Sequence, residues 1–456
     1  MASRIGICVL VSLLTTGAFA TPAVAQDPGP AVESSFPPEV TASLDGLFEL
    51  YAERHVPGTV LAVSVEGQGR YLGVEGTAGL DDPAPISAES RFHIGSITKT
   101  FTATAVLQLV DECRLRLDDT IERWQPAVPE ASRITVHELL NHTSGIPDYG
   151  DTTEFNDVLD NDPLRDLAPQ QLVDLAATLP RPFAPGTEWM YSNTNYVILG
   201  LIVEAVTGQT LEHVIQQRIL DPLHLGGTSF PTTAANPDPA TSGSIVVIDG
   251  QGKVVQEAPF NLSPSLFWAA GAMVSTVGDL ETWARALVDG TLLSPETQRA
   301  RLTLVPTLGP DDPDGLSFPP LGGTGPTLPV HYGLGIFGLG GYIGHNGDIP
   351  GYEAIMVFDP QTRTLVVELQ NARIYLEDAQ LSPTPFDEQL PTLSVPAIAG
   401  ILGQDPPLPP NPDGPTTPPC GQPPPPPTTA PPPPSPGSAP RSEPAHAVRG
   451  TPTFTG

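Results

Sequence analysis

The sequence predicts a mixed α/β (α+β) fold: an antiparallel sheet flanked by helices, built from both chain ends, with a mainly helical domain inserted between them. Three observations lead there. Strand-like runs rich in β-branched and aromatic residues fall in two blocks, one before residue 80 and one after residue 330. The stretch from about 90 to 305 reads instead as helices bounded by glycine and proline. Both extremes of the chain have compositions that do not belong to a packed fold.

In chain order, "MASRIGICVLVSLLTTGAFATPAVAQ" joins Arg4 to an apolar run from Ile5 to Leu14 and a small-x-small site at Ala23-Val24-Ala25. That is the pattern of a secretory signal peptide over residues 1–25, so export and a mature start near Gln26 are expected. Cys8 sits inside the apolar run, so no lipoprotein signal is read there. Residues 36–54 place Val40, Leu44, Leu47, Phe48 and Tyr51 on one helical face. "GTVLAVSV" and "RYLGVEGTAG" follow, separated by a glycine-containing turn, and read as a hairpin.

The helical middle holds "VHELLNHTSG", "PQQLVDLAATLP", "NYVILGLIVEAVTGQ" and "DLETWARALVDG". A Gly/Pro-rich surface loop is expected between Leu308 and Pro329. Strands return in "YGLGIFGLGGYIGH", "YEAIMVFD" and "TLVVELQN", the last two joined by "PQTR". A final helix is placed near "LSVPAIAGILG", with Pro396 weakening its start. Much of the chain's content of 57 prolines lies beyond Gln404, where extended polyproline segments can form but no core can. The expected organisation is therefore a folded body over residues 26–404 and a disordered tail over 405–456. Within the body, the sheet part covers about 31–88 and 306–404, and the helical part about 89–305.

The net charge of −31, from 51 acidic and 20 basic side chains, repels phosphate backbones and excludes nucleic acid as a partner. A membrane span needs about 20 apolar residues, and no run after the leader is that long and unbroken. Stable membrane insertion is therefore not expected. After cleavage Cys113 and Cys420 remain; Cys113 is read as a small buried hydrophobe on a helix and Cys420 as a stray tail thiol, in preference to a disulfide between them.

The stretch "RFHIGSITKTFTATAVLQLVDE" carries Lys99 three residues after Ser96, where polar residues give way to an apolar helix. Positions i and i+3 share a helix face, so hydroxyl and amine can meet. A serine hydroxyl is a poor nucleophile unless a neighbouring base takes its proton, and a lysine is that base only where burial or charge lowers its pKa. Phe101, Val106, Leu109 and Val110 supply apolar surroundings. Taken alone, Lys99 can equally be a helix residue that extends to solvent.

"GTEWMYSNTNY" adds Tyr191-Ser192-Asn193, and "GYIGHNGDIPGYE" adds His345-Asn346-Gly347. Each has a plain alternative: Asn193 as the N-cap of the next helix, and Asn-Gly as a hairpin turn. Together, in this order and at these wide spacings, the three elements resemble the serine β-lactamase and penicillin-binding-protein superfamily, specifically its class C-like branch of DD-carboxypeptidases, esterases and D-amino-acid peptidases. The resemblance spans roughly residues 36–375 and includes "LLNHTSGIPDY" and "AAGAMVSTVGDLETWARAL".

The resemblance implies a β-lactamase/transpeptidase-like fold, with Ser96 as acylated nucleophile and Lys99 as its proton acceptor. Tyr191 would share the base role, its phenol ionising more readily beside an ammonium, and His345 would orient the Tyr191 hydroxyl. Asn193, Asn346, Gly347 and Asp348 would be substrate-binding positions. Asn193 would bond the acyl side and the lysine, and Gly347 would let its strand pass close to substrate. Backbone N–H groups of Ser96 and Asp348 would form the oxyanion hole, and Ser192 would be a spacer.

No metal or organic cofactor is expected. "HELLNH" places His137 and His142 at i and i+5, about 140° apart on a helix, so they do not share a zinc ion. His55, His93, His213, His224, His331 and His446 show no ligand clustering, and no GxSxG elbow is present.

Two departures bear on substrate. The strand leading to the third element has no basic residue, with Phe337 where carboxypeptidase-like relatives would offer arginine, and Asp348 follows Gly347. A terminal carboxylate needs cations or dense donors. The expected protein is a monomeric, secreted or cell-wall-associated serine hydrolase working through an acyl-enzyme on Ser96. D-alanyl-D-alanine peptides of peptidoglycan lead as substrate. The alternatives are small esters, amides or D-amino-acid peptides, and a non-catalytic member binding peptidoglycan or β-lactams.

Overall fold

Alternation along the central strands explains how one sheet carries two cores. In Gly58–Val65 every residue is buried, yet Val60 and Ala62 point to one face while Leu61 and Val63 point to the other. The computed structural model describes residues 31–232, 234, 241–249, 253–308, 316–319, 325–376 and 390–404. The expected leader, the proline tail and Cys420 lie outside the described residues.

The main sheet runs in the order Ala31–Ser34, Gly69–Gly76, Gly58–Val65, Thr364–Gln370, Tyr352–Asp359, Tyr342–Ile349, Phe337–Leu339, Leu328–Tyr332 and Val305–Pro306, with Ser317–Phe318 attached to Leu328–Tyr332. All neighbours are antiparallel. The two chain ends meet where Val367 pairs with Ala62. The expected hairpin is present, Thr59 opposite Glu75, as is the Tyr352–Asp359/Thr364–Gln370 pair.

On one face lie the helices Pro38–Glu53 and Leu390–Ile401, joined to the sheet through Leu44, Leu47, Phe48, Tyr51, Val395 and Ile398. Pro396 stands within the last helix rather than at its start. On the other face the helical layer packs around Thr98–Asp111, a helix buried along nearly its whole length. Phe101 stacks on Trp283 of helix Val277–Asp289 at 4.4 Å, and helix Asn193–Thr207 lies alongside.

One reading needs an addition and two need correction. The stretch taken as mainly helical also contains Gly243–Ile248 and Val254–Phe260, which form a second sheet with Arg373–Leu376; "GSIVVI" is a β-branched run that the surrounding helices obscured. The described part of the expected Leu308–Pro329 loop includes the paired residues Ser317–Phe318 and Leu328-Pro329. Cys113 lies past the end of its helix, exposed, with φ of 56°, and is disulfide-bonded rather than a buried thiol.

Candidate active site

Gly95–Ile97 forms a single 3-10 turn that continues into helix Thr98–Asp111. The turn holds Ser96 half-buried at the surface, and the helix carries Lys99, fully buried, directly beneath it. Lys99 Nζ lies 2.9 Å from Ser96 Oγ, 2.7 Å from Asn193 Oδ1 and 2.9 Å from Ala270 O. Two of these partners are amide carbonyl oxygens and can only accept. A neutral amine therefore spends both N–H groups on them and turns its lone pair to Ser96. Burial lowers the Lys99 pKa to about 7, with the Asp148 charge acting in the opposite direction. The amine can thus be neutral near neutral pH while sitting within reach of the hydroxyl.

Asn193 is the first residue of helix Asn193–Thr207, with Ser192 at the cap position, so its side chain does not cap its own helix. The cap is Asp148, whose Oδ2 accepts from Asn193 N and Asn193 Nδ2, both at 2.8 Å. Asp148 Oδ1 accepts from Gly150 N at 2.8 Å. Ser192 is buried; its N–H donates to His142 Nδ1 at 3.2 Å and its hydroxyl to Pro147 O at 3.2 Å.

The Tyr191 hydroxyl is hydrogen-bonded to the Ser96 side chain, and Lys99 Nζ lies 4.8 Å from the Tyr191 ring centre. Burial, the largest influence, pushes the phenol well above its ordinary value, with the Ser96 hydrogen bond acting in the opposite direction.

His345-Asn346-Gly347 forms no hairpin turn; it lies inside strand Tyr342–Ile349. On one side that strand pairs with Tyr352–Asp359, but on the other its partner Phe337–Leu339 ends opposite Gly344. Both ring nitrogens of His345 bond groups other than the Tyr191 hydroxyl, while the two ring centres lie 6.3 Å apart. His345 Nε2 is 2.8 Å from the Tyr332 hydroxyl and its Nδ1 is 2.6 Å from Asn346 O. A carbonyl only accepts, so Nδ1 carries the proton and Nε2 accepts from Tyr332. Burial, then the Lys99 charge, lowers the His345 pKa to about 3, so the ring is a neutral wedge.

Gly347 is also needed for a different contact than expected. A Cβ there would lie 2.0 Å from Ile94 O, and a Cβ on Gly95, whose φ is +47°, would lie 2.7 Å from Asp348 N. The two glycines let the strand abut the nucleophile turn itself. That approach sets the Asp348 amide nitrogen against Gly95, the residue preceding Ser96. Phe337 is 1% exposed and packs 5.4 Å from the His345 ring; it is core, not pocket. The Asp348 carboxylate is not a bare charge, because Arg373 Nε lies 2.9 Å from its Oδ1 and Arg373 Nη1 lies 2.8 Å from Glu353 Oε1.

These elements border a pocket of about 400 Å³, part of it open to solvent, lined by Ser96, Tyr191, Asn193, Phe267, Gly271, Asn346, Asp348 and Ile349. Lys99 lies under its floor, while His345 and Gly347 stand behind its wall. Sequence reasoning did not identify Asp148, Tyr332, Arg373 or Gly95. It left His142 as structural, although that ring lies 4.4 Å from Tyr191 and 4.7 Å from Tyr332. Asp148 and His142 both fall in the "LLNHTSGIPDY" landmark, which was a usable signal; Arg373 in "NARIYL" offered none.

A sequence model of the Beta-lactamase family matches residues 44–383. The chain is 27% identical over 341 residues to penicillin-binding protein 4* of Bacillus subtilis, spanning 72% of this chain and 71% of that protein. It is 29% identical over 259 residues to esterase EstB of Burkholderia gladioli, spanning 51% of this chain and 66% of that protein, just under two thirds of its length. Among solved structures, a D-stereospecific amidohydrolase from Streptomyces sp. superposes with a TM-score of 0.62 at 31% identity, over 73% of this chain and 94% of that one. With a serine above a buried amine in a fold shared with these hydrolases, the chain belongs to the Beta-lactamase family, within the superfamily of serine β-lactamases and penicillin-binding proteins, and is a serine hydrolase.

Proposed function

We propose that the protein acylates Ser96 and hydrolyses small amides or esters that carry no carboxylate at the scissile end, in preference to D-alanyl-D-alanine peptides. The observation that carries this reading is the charge of the pocket wall. Asp348 faces the pocket, and Arg373, the arginine that reaches this wall, is held by Asp348 and Glu353. Lys99 is bonded beneath the floor. Because Asp348 already occupies Arg373, no cation among the described lining residues is left to hold a substrate carboxylate, whereas a neutral or amine-bearing group needs none. Likeness to an esterase and a D-stereospecific amidohydrolase supports the same class. Likeness to a penicillin-binding protein keeps the peptide as the second reading.

In the reaction, Lys99 takes the Ser96 proton as Oγ bonds the substrate carbonyl carbon, and the carbonyl electron pair moves to oxygen, facing the Ser96 and Asp348 N–H groups. Collapse breaks the bond to the leaving group, which receives the proton from Lys99 through the Tyr191 hydroxyl. Water then cleaves the acyl ester by the reverse relay. Export through the N-terminal leader belongs to the same proposal.

The test offers the full chain a p-nitrophenyl ester, a D-amino-acid amide, a D-Ala-D-Ala peptide and a reporter penicillin, following turnover and mass at Ser96. The amide and ester turn over faster than the peptide, and Ser96→Ala loses roughly 10³-fold or more. Preferential peptide turnover selects the second reading; no adduct and no turnover sink both.

A further inference from the structure

The Ser96–Lys99 pair does not stand alone, because the orientation of the amide that touches Lys99 is decided elsewhere. Asn193 presents Oδ1 to Lys99 at 2.7 Å. An amide can turn over and present its NH2 instead, and against an amine that already donates to Ala270 this would leave two donors facing each other. Asp148 prevents it: its Oδ2 accepts from Asn193 Nδ2 and from Asn193 N, and a carboxylate can only accept. The carboxylate is in turn fixed by Gly150 N. It also sits at the N-terminus of helix Asn193–Thr207, where a negative charge is favoured.

We propose that Asp148 is a positioning residue for acylation: it locks the Asn193 amide with Oδ1 toward Lys99, and its charge, one amide away, stabilises the ammonium formed when Lys99 takes the Ser96 proton. The inference rests on the reading of Ser96 as nucleophile. The other titratable groups facing Lys99 are Tyr191, Tyr196, His142 and His345. Burial holds both histidines neutral and both phenols protonated. Asp148 itself faces Lys99, Asp151, Tyr149 and Tyr191. Burial raises its pKa, and the donors from Asn193 and Gly150 oppose that rise.

The sign follows directly. A carboxylate near Lys99 favours the ammonium, so removing it lowers the Lys99 pKa and extends activity to lower pH. In Asp148→Asn the acid limb of kcat/KM for a p-nitrophenyl ester moves down by about one pH unit. The plateau falls roughly ten- to a hundredfold, because the Asn193 amide is no longer fixed and the ammonium loses its counter-charge. Asp148→Glu keeps the limb near its wild-type position and lowers only the plateau. A purely structural role would lower the plateau and leave the limb unmoved in Asp148→Asn, and that result overturns the proposal. If Asp148→Asn does not fold, the exchange D148N/N193D replaces it: the carboxylate then touches Lys99 directly and the limb moves up, and an unmoved limb again overturns the proposal. Acyl adduct mass at Ser96 in the wild type separates the two claims. Without an adduct the nucleophile reading fails and takes this inference with it; with an adduct and an unmoved limb, only the inference fails.

Discussion

The two walls of the pocket are built on different physics. The helical wall, with Ser96, Lys99, Tyr191, Asn193 and Asp148, is a chain of side-chain hydrogen bonds under apolar cover, from Ser96 Oγ through Lys99 Nζ and Asn193 to Asp148. In the proposed reaction this wall moves the proton. The strand wall, His345 to Ile349, works through its backbone: glycine permits contact with the nucleophile turn, and the side chains His345 and Asp348 are spent on Tyr332, Asn346 O and Arg373. Its task is shape. In the proposed reaction, proton chemistry would thereby lie on one side of the substrate and the backbone template on the other.

The largest effect should come from removing the proton acceptor. Lys99→Met fills the same buried space without an amine, so kcat/KM falls by about 10³-fold or more, with far-UV circular dichroism unchanged. If most activity survives, a base resides in the strand wall and the division between the walls is wrong. Gly347→Ala tests the other side. Its methyl would lie 2.0 Å from Ile94 O, a backbone atom that cannot swing away. The strand or the turn must shift, costing about 1–3 kcal/mol of stability and roughly 10²-fold in kcat, read from thermal melts and steady-state rates. A variant with lower stability but full kcat would show that the strand does not act as a template.

The same difference decides what was legible in the sequence. The sheet strands and the Ser96-to-Lys99 spacing were readable because both depend on local periodicity, of two and of three to four residues. Tyr191 and Asn193 were readable because their short element has a recognisable form. The partners were not. Asp148, Tyr332 and Arg373 reach the site through register and chain crossing; the landmark around Asp148 marks its segment but not its bond to Asn193, and nothing local marks Arg373. Gly347 was noticed for close approach, and the structure adds Ile94 O as a backbone neighbour that requires it. For His345 the Tyr191 hydroxyl was the expected partner, and the tyrosine that bonds its Nε2 is Tyr332. Phe337 seemed to occupy a binding position until strand register turned it into the core.

The smallest effect gives the sharpest separation of the walls, because both contain groups that titrate in one pH range. Lys99 is lowered to about 7. In the sheet, Glu353 and Glu368 are each raised by burial from an ordinary 4.5 to about 7. For these acids the folded state keeps a proton that the unfolded chain releases, so their contribution to stability is complete below about pH 4.5 and is lost as pH rises to about 7. Glu368 accepts from Tyr51 at 3.1 Å, Ser394 at 2.7 Å and Gln370 at 2.6 Å. Glu368→Gln keeps an oxygen for Tyr51 and Ser394, and its new NH2 can donate to Gln370 once that amide turns its unpartnered Oε1 inward. The variant therefore folds and shows a shallower decline of Tm between about pH 4.5 and 7 than the wild type. Its acid limb in kcat/KM stays in place, since that limb belongs to Lys99 on the helical side. A limb that moves with the Tm slope would mean that the sheet carboxyls and the catalytic amine titrate as one unit, and the two walls would have to be treated as a single electrostatic system.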